Sequence, residues 1–195
     1  RVLNAFETLP REEFVPRNQR AIAYVDEDLP LPGGRSMMEP MVLSRIVQAL
    51  DVQQHHSVLV VGGSTGYATA IMACLADSVI SIETRTQLVE KSQETIVSCG
   101  LDNAVVIKGR LTEGFAKEAP YHRILIEGSV EAVPDLLLDQ LSVDGMLAAI
   151  WRPADHPVGV ASIWTRAGKG FSRKPLFDAQ VPLLDEFRAK REFIF

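Results

Sequence analysis

The chain has 195 residues, 47% hydrophobic and 23% charged, with a formal net charge of −5. That size and balance suit one folded domain with a substantial core. The acidic balance argues against nucleic acid as an obligatory partner, because phosphate binding rests on clustered Lys and Arg. No apolar run approaches the roughly 18–20 residues of a membrane helix.

The chain opens "RVLNAFETLPREEF", a polar, amphipathic stretch without an initiator Met and unlike a signal peptide. Residues 2–9 are predicted to form a helix, and "LPREEFVP" interrupts it with two prolines. Residues 26–34 read as a loop, with Pro30, Pro32 and a Gly pair as breakers. Leu43, Ile46, Val47 and Leu50 fall at helical spacing after Pro40, which predicts a helix over 41–50. From there the pattern alternates. Strands are predicted over 57–61, 78–83, 104–108, 122–128 and 145–151, and helices over 67–76, 86–99 and 131–141. Near-continuous apolar strands alternating with helices indicate a parallel sheet covered on both faces. Two further runs around "AGKG" (167–170) predict a hairpin, an antiparallel edge on the parallel sheet. "REFIF" closes the chain.

Several residue types have ordinary readings. Cys74 and Cys99 lie outside any CxxC and read as reduced, buried small hydrophobes, which fits a cytoplasmic protein. His55 and His56 lie in a polar turn with no further ligands in view, so no metal site is expected. His122 is expected to face solvent, Trp151 and Trp164 to pack at strand ends, and "RAKRE" (188–192) to form a solvated edge.

The candidate site lies in "VVGGSTGYATA" (60–70). Gly62, Gly63 and Gly66 follow a strand and precede a helix, and Glu83 ends the next strand about 20 residues on. Glycines let the backbone approach a ligand, and an acid at that place can accept both hydroxyls of a ribose. The G-G-S-T-G spacing differs from the G-x-G-x-x-G of pyrophosphate-bearing dinucleotides. It favours a nucleoside cofactor such as S-adenosylmethionine.

With these residues in place, the chain resembles the protein-L-isoaspartate O-methyltransferase family, in a divergent bacterial branch. "LPREEFVP" looks like its VPRxxFVP, "AYVDEDLPL" like AYxDxxLPI, "SVLVVGGSTGYATAIMACLA" like VLEIGTGSGYQAAVLAxLA, and "VISIE" like VYSIE. "LLLDQLSVDGMLAA" is similar to LxxQLxxGGRLV, and "FDAQVPLL" to the closing strand before a VPL. The resemblance implies a Rossmann-like class I S-adenosylmethionine-dependent methyltransferase fold, α/β, with a mostly parallel seven-stranded sheet and an antiparallel C-terminal edge. It further implies one domain over 1–195, with a helical cap (1–50), an αβ cofactor core (51–151) and C-terminal strands (152–195). The cofactor implied is S-adenosylmethionine, held by Gly62, Gly63, Ser64, Gly66, Glu83 and Arg110. The partner implied is a protein or peptide carrying an isoaspartyl carboxylate.

The chain departs from the family at named positions. Val60 stands where the first strand carries Glu, Ser64 where the loop has Gly, and Arg110 where G-D-G has Asp. Ser36, Met38 and Glu39 occupy the active-site segment, with Met38 in place of its serine. Losing a hydrogen bond from a charged group costs roughly 1.5–3 kcal/mol. Glu127 and Glu131 are expected at the ligand-binding edge, where they would repel a carboxylate unless Arg35 or Arg110 neutralises them. Three functions are therefore carried forward: isoaspartyl methyl transfer, a relative that keeps the fold for binding without methyl transfer, and methyl transfer to another acceptor.

Overall fold

A computed structural model describes residues 1–189; "REFIF" and part of "RAKRE" lie outside them. The chain opens with α1 (Val2–Thr8), followed by two single-turn segments, Arg11–Phe14 and Arg17–Ile22. The stretch expected to be a loop carries a small hairpin, β1 (Leu29–Leu31) with β2 (Arg35–Met37). Leu29 and Leu31 are buried while Pro30 points out, and two residues of alternation were too little to outweigh the proline signal. Next comes α2 (Pro40–Leu50), with Pro at its start and Val42, Leu43, Ile46, Val47 and Leu50 buried.

The αβ core follows in chain order: β3 (Ser57–Val61), α3 (Tyr67–Ala73), β4 (Ser78–Glu83), α4 (Thr86–Ser98), β5 (Ala104–Lys108), β6 (Tyr121–Val130), α5 (Asp135–Leu138) and β7 (Leu141–Trp151). A hairpin of β8 (Gly159–Ala167) and β9 (Gly170–Ala179) completes the sheet. The seven-stranded order is β5-β4-β3-β6-β7-β8-β9. Pairing is parallel from β5 to β7 and antiparallel through β8 and β9. This is the α/β architecture expected from the sequence. The helix expected over 131–141 shrinks to α5, because Pro134 sits before its first turn and β7 begins already at Leu141.

The period of two along the strands sorts the core into two layers. Val58, Val60, Val79 and Val106 pack toward α1–α4, whereas Leu59, Val61, Ile82, Ile124 and Ile126 pack toward α5 and the C-terminal segment. Every residue of α3 is buried. The thiols differ from expectation: Cys74 is exposed and Cys99 half-buried, since both lie just past helix ends, beyond the packed face. No helix among the described residues is long and apolar enough to cross a membrane.

Candidate functional site

The sheet order reverses between β3 and β6, and their carboxyl ends make the crevice where open α/β sheets bind ligands. Gly62 leaves β3 with φ 76°, its N–H donating to Ile82 O at 2.9 Å. Gly66 has φ 97°, and its N–H closes the turn onto Gly63 O at 2.7 Å. Both need glycine's access to positive φ. A β-carbon at Gly63 would run into the Ser81 and Thr69 hydroxyls, so the turn sits tightly on β4 and α3. Ser64 holds a left-handed φ of 50° and is buried. Val60 is buried with the helical layer of the core, and a β-carbon at Gly63 would lie 3.3 Å from its Cγ1.

Glu83 ends β4 beside this turn and is completely buried. Its Oε1 accepts from Arg35 Nη2 at 2.8 Å, Thr84 N–H at 2.7 Å and Thr84 Oγ1 at 3.0 Å. Arg85 N–H reaches the same oxygen at 3.3 Å, and Arg35 Nε donates to Oε2 at 2.9 Å. Arg35 also donates to both carboxylate oxygens of Glu186, at 2.7 and 3.0 Å. The result is a Glu83–Arg35–Glu186 triad whose arginine side chain is 2% exposed. Burial works against the Arg35 charge, but hydrogen bonds to the two glutamates outweigh it and raise its pKa. Burial likewise opposes the charge on Glu186, yet the Arg35 hydrogen bond prevails and lowers its pKa. Arg35, weighed as a counter-charge for the loop glutamates, gives its hydrogen bonds to Glu83 and Glu186.

The other predicted residues scatter. Arg110 follows β5, is largely exposed, and pairs with Glu113 at 2.9 Å. Ser36 faces Pro30 in the β1–β2 hairpin. Met38 is buried, and its carbonyl accepts from Arg11 Nη2 at 2.7 Å. Glu39 is half-buried; its N–H donates to Asp28 Oδ1 at 3.0 Å. Partial burial, then Asp28, Asp26 and Glu27 nearby, raises the Glu39 pKa. His122 is half-buried rather than solvated: its Nδ1 meets Ser57 N–H at 3.1 Å, and its ring stacks on His56.

Glu127 stands opposite Gly62, one residue beyond the Ile126–Val61 register pair. It is only 4% exposed, and its Oε2 has no hydrogen-bond partner among the described residues. Burial pushes its pKa up to about 8, against the pull of Arg11; Glu83 adds to the rise and Arg35 opposes it. Near neutral pH this carboxyl is largely protonated, which removes most of the repulsion expected from it. Glu131 lies farther out and accepts from Ala189 N–H.

Sequence reasoning missed the residues that cover the crevice. After β9, residues 181–189 cross the ends of β3 and β6. Ser129 N–H donates to Pro182 O and Leu184 N–H to Ser129 O, both at 3.0 Å, and Glu131 N–H donates to Phe187 O at 3.4 Å. A β-carbon at Gly128 would lie 2.6 Å from Leu184 Cγ, and one at Gly62 would lie 3.3 Å from Leu184 Cδ1. The only sequence sign was an acid soon after "VPLL", with nothing local to suggest its partner.

The implied S-adenosylmethionine can be tested against these contacts. Its ribose needs a free lone pair on Glu83: four donors of this chain crowd Oε1, whereas Oε2 accepts from Arg35 Nε alone and keeps an acceptor place. Leu184 stands on the glycine floor. A cavity of about 360 Å³ remains on the other flank of the turn, beside Thr65, between Phe14, Val15, Pro32 and Leu88.

The chain was compared with known proteins. The family model for Protein-L-isoaspartate(D-aspartate) O-methyltransferase matches residues 1–155. A protein-L-isoaspartate O-methyltransferase of Bradyrhizobium sp. (strain ORS 278) is 35% identical over 187 residues, 94% of this chain and 85% of that protein. One from Methanoculleus marisnigri is 34% identical over 149 residues, 76% of this chain and 68% of that protein. A solved protein-L-isoaspartate O-methyltransferase superposes with TM-score 0.84 at 20% identity, over 94% of this chain and 60% of that chain. A Plasmodium falciparum structure of the same kind, in complex with S-adenosyl-L-homocysteine, gives TM-score 0.81 at 21% identity, over 95% of this chain and 90% of that chain. These two structural likenesses bear on the fold alone. With the family match over most of its length and relatives above 30% identity, the chain belongs to the protein-L-isoaspartate(D-aspartate) O-methyltransferase family.

Proposed function

We propose that this chain is an S-adenosylmethionine-dependent carboxyl O-methyltransferase acting on L-isoaspartyl residues of damaged proteins in the cytoplasm. The observation that carries the reading is the juxtaposition of the Gly62–Gly66 turn with Glu83 at the sheet's switch point, within the segment that matches the family. Gly62, Gly63, Ser64 and Gly66 are assigned to the cofactor's approach and Glu83 to its ribose; Arg110 is left to Glu113. Met38 in the active-site segment is compatible with this chemistry. An isoaspartyl carboxylate is ionised at neutral pH, so it needs no general base, and positioning carries the burden.

A second reading, in which the fold binds without transferring methyl, is favoured by the occupancy of Glu83 by the chain's own donors. Incubation with methyl-labelled S-adenosylmethionine and an isoaspartyl peptide separates the two. Base-labile label is expected on the isoaspartyl peptide and not on its aspartyl counterpart. Equal label on both peptides, or none on either, sinks the methyltransferase reading.

A further inference from the structure

We propose that Glu127, as a neutral acid, donates the hydrogen bond that seats the acceptor carboxylate beside the glycine turn. The inference rests on the isoaspartyl reading above and names the group of this chain that receives the substrate.

Glu127 lies toward the carboxyl end of β6, level with the start of the glycine turn. The β3–β6 register pairs Ile126 with Val61, and Glu127 and Gly62 come next. Strand ends at this switch point are where open α/β sheets meet their ligands. Glu127 is 4% exposed, and its Oε2 is enclosed without a hydrogen-bond partner among the described residues. The charges acting on it are Arg11 from the N-terminal cap, Glu83 from β4 and Arg35 from β2. Arg11 ties this acid to the active-site segment, since its Nη2 donates to Met38 O at 2.7 Å.

The hydrogen bonds of Arg11 suit a neutral neighbour. Its Nε donates to Ala23 O at 2.7 Å, and its Nη1 is enclosed and unpaired among the described residues. An ionised carboxylate enclosed near such a free N–H gains most by pairing with it, because an unpaired buried charge is costly. Arg11 Nη1 and Glu127 Oε2 nevertheless both lack a partner. A neutral carboxyl has one O–H to give, and the ligand it suits is a carboxylate, which forms short, charge-assisted O–H···O⁻ bonds. Glu127 keeps its proton during transfer. The substrate oxygen not held by Glu127 forms the bond to the methyl carbon; the methyl–sulfur bond of the donor breaks, and its electron pair stays on sulfur. Once ionised, Glu127 offers no donor and repels the carboxylate instead.

Binding of a fluorescein-labelled isoaspartyl peptide, followed by anisotropy from pH 6 to 9 with saturating S-adenosylhomocysteine, tests the inference. It is measured on the unaltered chain, Glu127→Gln and Glu127→Ala. Glutamine keeps a weaker donor that cannot ionise, and alanine has none. With the Glu127 pKa at about 8, the unaltered chain is expected to bind about tenfold more weakly at pH 9 than at pH 7. Glu127→Gln is expected to bind about threefold more weakly than the unaltered chain at pH 7, yet to hold that affinity to pH 9 and become the tighter binder there. Glu127→Ala is expected to lose about tenfold or more at pH 7. The pH profile of kcat/KM follows the same order. A fall in affinity that Glu127→Gln shares overturns the inference, because another group then carries it. So does a folded Glu127→Ala that binds at pH 7 like the unaltered chain. The glutamine comparison does not depend on the alanine variant folding. Methylation by all three proteins with the same pH profile removes the inference and leaves the isoaspartyl reading standing. No binding and no methylation by any of them sinks both together.

Discussion

Replacing Glu127 by Gln isolates one buried carboxyl whose cost is set by pH. Glu127 is surrounded by Arg11 from the first single-turn segment, Arg35 from β2, Glu83 from β4, and the apolar cover of Leu184 over neighbouring Gly128. Burial raises its pKa from the ordinary 4.5 to about 8. The folded chain therefore holds this proton over a range in which the unfolded chain has released it. The stability contribution is complete below pH 4.5 and is lost as pH rises toward 8. Each pH unit in that window corresponds to about 1.4 kcal/mol, so roughly 3 kcal/mol is lost by pH 7. Gln keeps the size and stays neutral throughout. Urea unfolding of both proteins at pH 5, 6, 7 and 8 should show Glu127→Gln gaining on the unaltered chain at each step, with the difference levelling above about pH 8. Titrations of groups not coupled to Glu127 cancel in that difference. Parallel stability curves from pH 5 to 8 would refute the assignment of a protonated, buried Glu127.

Two further substitutions probe the frame around the crevice. Arg35→Met leaves Glu83 buried without its cation, and loss of about 3–5 kcal/mol in urea unfolding at pH 7 is expected; a change below about 1 kcal/mol would show that the triad is not formed. Gly66→Ala forces φ 97° on a residue with a side chain and drives a methyl against Ser92 Oγ. A loss on the order of 3 kcal/mol is expected, with only the steric part restored when Ser92→Ala is added; full restoration would contradict the positive-φ argument.

The strands were legible because their signal is local. "SVLVV", "SVISIE" and "AVVIK" are apolar runs bounded by turns, and the structure places β3, β4 and β5 on those residues. The glycine turn was legible for the same reason. The Glu83–Arg35–Glu186 triad was not, because its partners are distant: Arg35 and Glu83 are 48 residues apart, and Arg35 and Glu186 are 151 apart. No periodicity links a guanidinium to an acid across that span. Glu127 was misjudged as a charge at the ligand edge because burial is a property of what packs over a residue, here Leu184. Arg110, given a cofactor role by position in a motif, pairs with Glu113 within its own turn.

The burial of α3 has a consequence for tolerance to mutation. In α4 only Leu88, Ser92, Thr95 and Ile96 are buried, so most polar changes there can face water. All residues from Tyr67 to Ala73 are buried, with Arg11 over the Tyr67 ring and Phe6 and Phe14 against its edges. No rotation about the α3 axis delivers a new charge to solvent. A lysine at Ala68 or Ala70 would have to open the layer between the sheet and the N-terminal cap. The helix that follows the glycine turn therefore has far less room to absorb drift than α4, whatever becomes of the chemistry beside it.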